Sequence, residues 1–74
     1  MPETEALAKR VKAYRKELSK NQPEMAYEMG ISTEEISLIE RGKTDPKLST
    51  LQKIAAHMGI TVSSLLETER RERR

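Results

Sequence analysis

Three glycines, at positions 30, 42 and 59, divide this sequence into short segments and limit what it can fold into. Each follows a stretch in which apolar residues recur every three or four positions, and glycine is the residue that most often ends an α-helix. Asn21, Ser32 and Thr61 are N-cap residue types at the start of such stretches. No segment alternates apolar and polar residues as a half-buried strand would. The pattern therefore predicts an all-α chain.

Five helices are expected, at about residues 4–19, 21–30, 32–42, 48–59 and from 61 onward. Glu24 and Glu35 stand three residues after their caps, so each completes the pattern of a capping box. The predicted core-facing stripes of the first and fourth helices are Leu7, Val11, Tyr14 and Leu18, and Leu48, Leu51, Ile54, Ala55 and Met58. We expect one domain over residues 1–67 and a charged extension over residues 68–74.

Composition excludes several classes of function. The 74 residues contain no Cys and one His, which argues against disulfides and against a zinc site. With no Phe or Trp and two Tyr, stacking on single-stranded bases is not expected. No apolar run is long enough for a membrane helix or a signal peptide. No catalytic residue pair is apparent, so we expect a cytoplasmic protein that is not an enzyme and needs no metal or cofactor.

The middle of the chain carries an extended motif. It reads Asn-Gln at 21–22, Met-Ala at 25–26, Gly-Ile-Ser at 30–32 and Ile-Ser-Leu-Ile-Glu-Arg-Gly at 36–42. Two short helices joined by a tight turn with glycine are typical of a helix-turn-helix. The motif closely resembles the DNA-binding domains of the lambdoid phage repressor and Cro family, which are XRE-type regulators. With the similar segment 45–66, the resemblance covers about residues 6–67.

The resemblance implies a five-helix, phage-repressor-like fold whose helix-turn-helix is formed by helices 2 and 3. It also implies that the third helix, about residues 33–41, lies in the major groove of double-stranded DNA. Family members usually bind palindromic sites as dimers. The fifth helix is our candidate dimer surface, through Val62, Leu65 or Leu66, although we expect at least one of the two leucines to be core.

The faces of the third helix separate its possible roles. At about 100° per residue, Ile36 and Ile39 mark the buried side. The positions predicted to read bases share the opposite face and are Thr33, Glu34, Ser37 and Leu38. This face has few strong hydrogen-bonding readers, whereas matching family positions often carry Gln, Arg, Ser or Asn. Glu34 could accept a hydrogen bond from cytosine N4, and Leu38 could contact a thymine methyl group.

The other two acids of this helix have structural explanations. Glu35 is expected to reach back to the backbone N–H of Ser32 as a cap. In the family, the acid that matches Glu40 pairs with an arginine of the first helix, and Arg15 occupies that place. We expect a largely shielded Arg15–Glu40 ion pair rather than a loose surface pair.

Phosphate contacts would position such a domain without specifying sequence. The candidates lie at the start of the second helix and in the loop after the third, and are Asn21, Gln22, Arg41, Lys43, Thr44 and Lys47. The arginines at 70–74 are expected to form a solvated tail. His57 is expected to be a surface or partly buried residue without a ligand.

The sequence thus predicts a sequence-specific DNA-binding transcriptional regulator, encoded by a bacterium or a phage and associated with the nucleoid when bound. Two alternatives stay open. One is an antitoxin or controller protein that binds DNA and also a protein partner. The other is a helix-turn-helix module that uses the face around Glu34 and Leu38 for protein contact only.

Overall fold

The described part of the chain, residues 2–67, is entirely helical. In a computed structural model it forms α1 (Pro2–Glu17), α2 (Gln22–Met29), α3 (Thr33–Glu40), α4 (Leu48–Met58) and α5 (Val62–Leu65), with no strand in that range. This confirms the predicted all-α, five-helix fold. The predicted charged extension at 68–74, including the arginines at 70–74, lies outside the described residues. None of the described helices is both long and apolar enough to cross a membrane.

Capping side chains set most of the helix boundaries where the sequence predicted them. At α2, Asn21 Oδ1 accepts from the Glu24 backbone N at 2.9 Å, and Glu24 Oε1 accepts from the Asn21 N at 2.9 Å. Ser32 Oγ accepts from the Glu35 N at 3.0 Å, and Thr61 Oγ1 caps α5 in the same way at 3.0 Å. These bonds satisfy N–H groups that a helix start leaves without a partner.

The predicted limits of the first helix were wrong at both ends. Helix α1 begins at Pro2, before Thr4, and ends at Glu17, two residues before Ser19. Ser19 has φ 56°, in the left-handed region, so the helical hydrogen-bond pattern cannot continue through it. The Lys20 N instead donates to the Arg15 carbonyl at 3.2 Å, which closes the end of the helix.

All five helices contribute to one hydrophobic core. Its members are Leu7, Val11, Met25, Ala26, Met29, Ile36, Ile39, Leu51, Ile54, Ala55 and Leu65. Tyr14 and Met58 pack against this cluster while remaining partly buried. The helices α2, α3 and α5 are 8, 8 and 4 residues long, too short to be stable alone, so burial of their apolar faces in this core holds them together.

Two predicted core positions are wrong. Leu18 is 42% exposed, because it follows the last residue of α1 and no longer shares the direction of the helical stripe. Leu48 is 62% exposed, because it is the first residue of α4, at the edge of the face on which Leu51 and Ile54 are buried.

One of the three residues predicted to form a dimer contact is buried in the core, so that prediction is wrong for it. Leu65 is 0% exposed and belongs to the core, so its side chain is not available to a second copy of the chain. The sequence had allowed that at least one of the two leucines is core, and Leu65 is that residue. Val62 and Leu66 pack against the same core but keep part of their surface accessible.

Candidate nucleic-acid interface

A three-residue corner joins α2 to α3. Gly30 has φ 78°, a left-handed conformation that favours glycine, and the Ile31 N donates back to the Ala26 carbonyl at 3.0 Å. Ile31 packs against the core, and Ser32 caps the next helix. Lys53 of α4 donates to the Gly30 carbonyl at 3.3 Å, so a third helix also holds the corner. The direction in which α3 leaves α2 is therefore fixed.

The outward face of α3 carries the four residues predicted to read bases. Thr33 and Glu34 are exposed, and Ser37 and Leu38 are half-buried. Ile36 is 0% exposed and defines the opposite side of the helix. The burial pattern agrees with the helical wheel, and the base-reading role of these four residues remains a prediction.

A buried ion pair holds the end of α3. Arg15 Nε lies 2.7 Å from Glu40 Oε2, and Arg15 Nη2 lies 2.9 Å from Glu40 Oε1. The two side chains are 13% and 3% exposed, so this is the shielded, two-point pair that the sequence led us to expect. Gln22 Nε2 donates to the same Glu40 Oε1 at 3.1 Å, and Arg15 Nη1 donates to the Lys20 carbonyl at 2.9 Å.

These contacts shift the acidity of both partners. Burial acts to raise the pKa of Glu40, but hydrogen bonds from Arg15 and Gln22, together with the positive charges of Arg15 and Lys12, outweigh it and hold that pKa below its ordinary value. The hydrogen bond to Glu40 raises the pKa of Arg15 against an opposing effect of burial. The pair is therefore ionised at neutral pH, and its carboxylate is fully committed within the protein.

Glu35 does not act as the predicted second half of a capping box. Its Oε2 accepts a hydrogen bond of 2.7 Å from Thr50 Oγ1 in α4. Thr50 is 5% exposed, and its buried hydroxyl needs a partner, which the half-buried Glu35 carboxylate supplies. The cap pattern in the sequence was ambiguous here, because a carboxylate at that position can turn back to its own helix or outward to a neighbour.

Of the phosphate candidates, three in the loop after α3 and Asn21 at the start of α2 are exposed, whereas Gln22 is half-buried. Arg41, Lys43 and Lys47 are exposed and Thr44 is half-buried, and Arg41 Nε approaches the Ser37 carbonyl at 3.3 Å. At the start of α2, the Asn21 side chain is committed to its cap.

The contact of Gln22 with Glu40 relates these two groups of candidates in space. Because Gln22 is the first residue of α2 and Glu40 the last of α3, the start of α2 lies beside the end of α3. The exposed cations of the following loop begin at the next residue, Arg41. Candidate phosphate-binding groups from two separate chain segments therefore converge at one end of α3.

A polar cluster on α1, α2 and α4 was not foreseen from the sequence. Tyr14 Oη lies 2.7 Å from His57 Nδ1 and donates to the His57 carbonyl at 3.0 Å. His57 Nε2 lies 3.2 Å from Glu28 Oε1, and Glu28 also pairs with Lys20. His57 lies 29 positions from Glu28 and 43 from Tyr14 in the sequence, so only the fold brings it to them. Within residues 2–67, no group of three or more His, Cys, Asp or Glu side chains could hold a metal ion.

Comparison with known proteins agrees with this geometry. The family model for the helix-turn-helix matches residues 11–65. This chain belongs to the XRE-type helix-turn-helix family. The crystal structure of the hypothetical transcription factor NHTF from Neisseria superposes on the domain with a TM-score of 0.80 at 26% identity, over 93% of this chain and 79% of that chain.

The chain is also similar in sequence to a phage repressor and to bacterial transcriptional regulators. The immunity repressor protein of Bacillus phage phi105 is 36% identical over 63 residues, 85% of this chain and 44% of that protein. The transcriptional regulator DdrOP3 of Deinococcus deserti is 41% identical over 82% of this chain and 47% of its own length. SinR of Bacillus subtilis is 34% identical over 82% of this chain and 56% of its own length. The chain thus spans about half the length of these relatives.

We expect Arg15→Ala to lower the free energy of unfolding by about 3–5 kcal/mol, because it leaves the Glu40 carboxylate buried without its cation. Lys9→Ala removes an exposed charge from the same helix, one that does not act on Glu40, and should change the free energy of unfolding by less than about 0.5 kcal/mol. Urea unfolding of both variants at neutral pH measures the difference. Equal small losses would show that the pair is no more than a surface contact.

Stability should also depend on pH through Glu40. A carboxyl group whose pKa is lower in the folded state stabilises the fold above its unfolded pKa of about 4.3, and this contribution disappears as the pH falls through the folded pKa. Comparing urea unfolding at about pH 7 and about pH 3.5, we expect Glu40→Gln to be less stable than the parent at neutral pH and to lose less on acidification.

Glu28→Gln is the control, since Lys20 lowers the pKa of that carboxyl group at an exposed site where solvent screens the pair. Parallel pH profiles for the parent chain and Glu40→Gln would contradict the role of the buried carboxylate.

Proposed function

We propose that this chain binds double-stranded DNA sequence-specifically and regulates transcription, with α3 in the major groove. The observation that carries the proposal is the division of α3 into two sides. Glu35 and Glu40 are held by Thr50 and Arg15 of other helices, while Thr33, Glu34 and the cations after Glu40 remain accessible. Two of the three acids of α3 would therefore not face DNA. The surface that α3 would present is less acidic than its composition, so a polyanionic ligand is compatible with this helix.

The proposed readers act through different chemistry. Glu34 accepts a hydrogen bond from cytosine N4, and Leu38 contacts a thymine methyl group. Thr33 and Ser37 carry hydroxyls that donate or accept, so they adapt to either kind of base edge. Glu34 is the single acid among the four, and exposed Arg41, about 20° away on the helical wheel, offsets its charge.

Phosphate binding would fix the position of α3 in the groove. We assign Arg41, Lys43, Thr44 and Lys47 to one contact surface after α3. Asn21 and Gln22 contribute at the start of α2, where backbone N–H groups suit an anion. The capping box engages both the backbone N–H and Oδ1 of Asn21, so we expect Asn21 to act through its remaining Nδ2 group. The Gln22 side chain donates to Glu40, so we expect Gln22 to act through its backbone N–H.

The proposed complex is a homodimer on a palindromic site with half-sites about 34 Å apart. Val62 and Leu66 are the remaining candidates for the dimer contact, since both keep accessible apolar surface, Val62 in α5 and Leu66 directly after it. A DNA ligand of this kind puts the protein in the cytoplasm of a bacterial cell, with the nucleoid or with phage DNA.

Selection of bound duplexes from a random DNA pool, at two salt concentrations, tests the proposal. We expect one enriched palindromic sequence, and a logarithm of affinity that falls with the logarithm of salt by about 0.9 per phosphate neutralised. A pool that yields no enriched sequence would reject sequence-specific binding and favour the protein-partner alternatives.

The double variant Arg41→Ala, Lys43→Ala should weaken binding to all duplexes without changing which sequence is preferred. Losing two phosphate contacts lowers the salt slope by about 2 and the affinity by roughly 10- to 100-fold at about 0.1 M salt. Fluorescence anisotropy over a salt series measures both. The matched control is Lys9→Ala, Lys16→Ala, which removes the same charge from exposed positions of α1 and should change affinity much less. Equal losses in the two variants would indicate a general charge effect.

Single changes on the reading face should instead alter the preferred bases. We expect Glu34→Gln or Leu38→Gln to change preference at one position of each half-site, since one good base contact contributes about 1–3 kcal/mol of discrimination. Repeating the selection with each variant measures the change, and Glu5→Gln, an exposed acid of α1, is the control for charge. Recovery of the parent sequence from both variants would remove these residues from the reading face.

A further inference from the structure

The hydrogen bond between Glu35 and Thr50 joins α3 to the first turn of α4. Thr50 is the third residue of α4, and its buried hydroxyl donates to Glu35 Oε2 at 2.7 Å. Helix α4 has no acid in its first turn, and its N-cap residue, Lys47, makes no capping side-chain hydrogen bond. A carboxylate is stabilised at the positive start of a helix. Glu35 therefore supplies from α3 the negative charge that α4 does not supply for itself.

Glu35 and Glu40 hold α3 from opposite flanks. With Thr33 set to zero on the helical wheel, Glu35 lies near about 200° and Glu40 near about 340°, on either side of the buried isoleucines. Glu40 is bound to Arg15 of α1, and Glu35 is bound to Thr50 of α4. Apolar packing is non-directional, whereas hydrogen bonds weaken steeply with misalignment. The two polar contacts, one on each flank, therefore add a directional constraint against rotation of α3 about its own axis.

We propose that Thr50, a residue of α4, is a positioning residue that sets the rotation of α3 about its axis. Through this rotation, Thr50 determines how accurately α3 reads bases. The second part rests on the proposed DNA-binding function. A rotation of about 10° moves a side-chain atom about 6 Å from the helix axis by about 1 Å. A shift of this size exceeds the tolerance of a base-specific hydrogen bond, while phosphate contacts made by long, flexible lysines can adapt to it.

The test uses the full 74-residue chain and the variant Thr50→Val, which keeps the shape of the side chain and removes its donor. Residual dipolar couplings of backbone amides measure the orientation of α3 relative to α1 and α4 in the free protein. We expect a reorientation of about 10°. We expect the ratio of affinities for the selected duplex and for its single-base variants to fall about tenfold. The affinity for non-specific duplexes and the salt slope should stay unchanged within about twofold.

Two further variants separate positioning from stability. Glu35→Gln can still accept the Thr50 hydroxyl through its amide oxygen, so it should keep both the orientation and the discrimination. Ile54→Val, buried in the same helix, should lower the melting temperature while leaving discrimination unchanged. If Thr50→Val does not fold, Glu35→Ala removes the acceptor from a half-buried site and takes its place.

The outcomes are distinct. An unchanged α3 orientation in Thr50→Val, with only a lower melting temperature, overturns the proposal, as does a Glu35→Gln variant as impaired as Thr50→Val. If the parent chain selects no DNA, the proposed function fails, and the dipolar couplings of the free protein still decide whether Thr50 sets the rotation of α3.

Discussion

The ion pair between Arg15 and Glu40 is the contact on which the arrangement of the first three helices depends. It joins the end of α3 to α1, while Gln22 adds the start of α2 to the same carboxylate. A buried carboxylate is costly unless it is paired and hydrogen-bonded, and here a two-point arginine and an amide together donate three hydrogen bonds to it. Because this geometry is demanding, the pair restricts the relative positions of α1, α2 and α3 more narrowly than non-directional apolar contacts do.

The same pair resolves the apparent conflict between the acidic composition of α3 and a DNA ligand. Three glutamates lie in or at the ends of a helix of eight residues, yet two of them face other helices. Charge counted along a sequence does not give the charge on a surface, because carboxylates on the flanks of a buried stripe are available to neighbouring helices. In this domain the acids hold α3 in place, and the accessible charge at its end is that of Arg41 and Lys43.

Local signals in the sequence were enough to predict most of the fold. Asn21, Ser32 and Thr61 cap the helices that they were expected to cap, because a cap needs only residues within the same turn. Periodicity failed at helix ends, where Leu18 and Leu48 continue an apolar pattern beyond the buried face. Some contacts between distant segments could be predicted from the sequence and others could not. Arg15–Glu40 could be inferred from family resemblance, whereas Glu35–Thr50 and the cluster of Tyr14 and His57 require the packing of α4 to be known.

The eight-residue length of α3 couples recognition to the stability of the whole domain. An isolated helix in water needs about 12–15 residues to be even marginally populated, so α3 and its reading face form only when the core is folded. Substitutions at Ile36, Val11 or Ile54 would therefore reduce occupancy of a DNA site in proportion to the folded fraction, without touching the ligand. Conversely, a duplex that binds only the folded chain stabilises it by mass action. In a domain of this size, a substitution in the core therefore affects folding and binding together, whereas one on the exposed face of α3 affects binding alone.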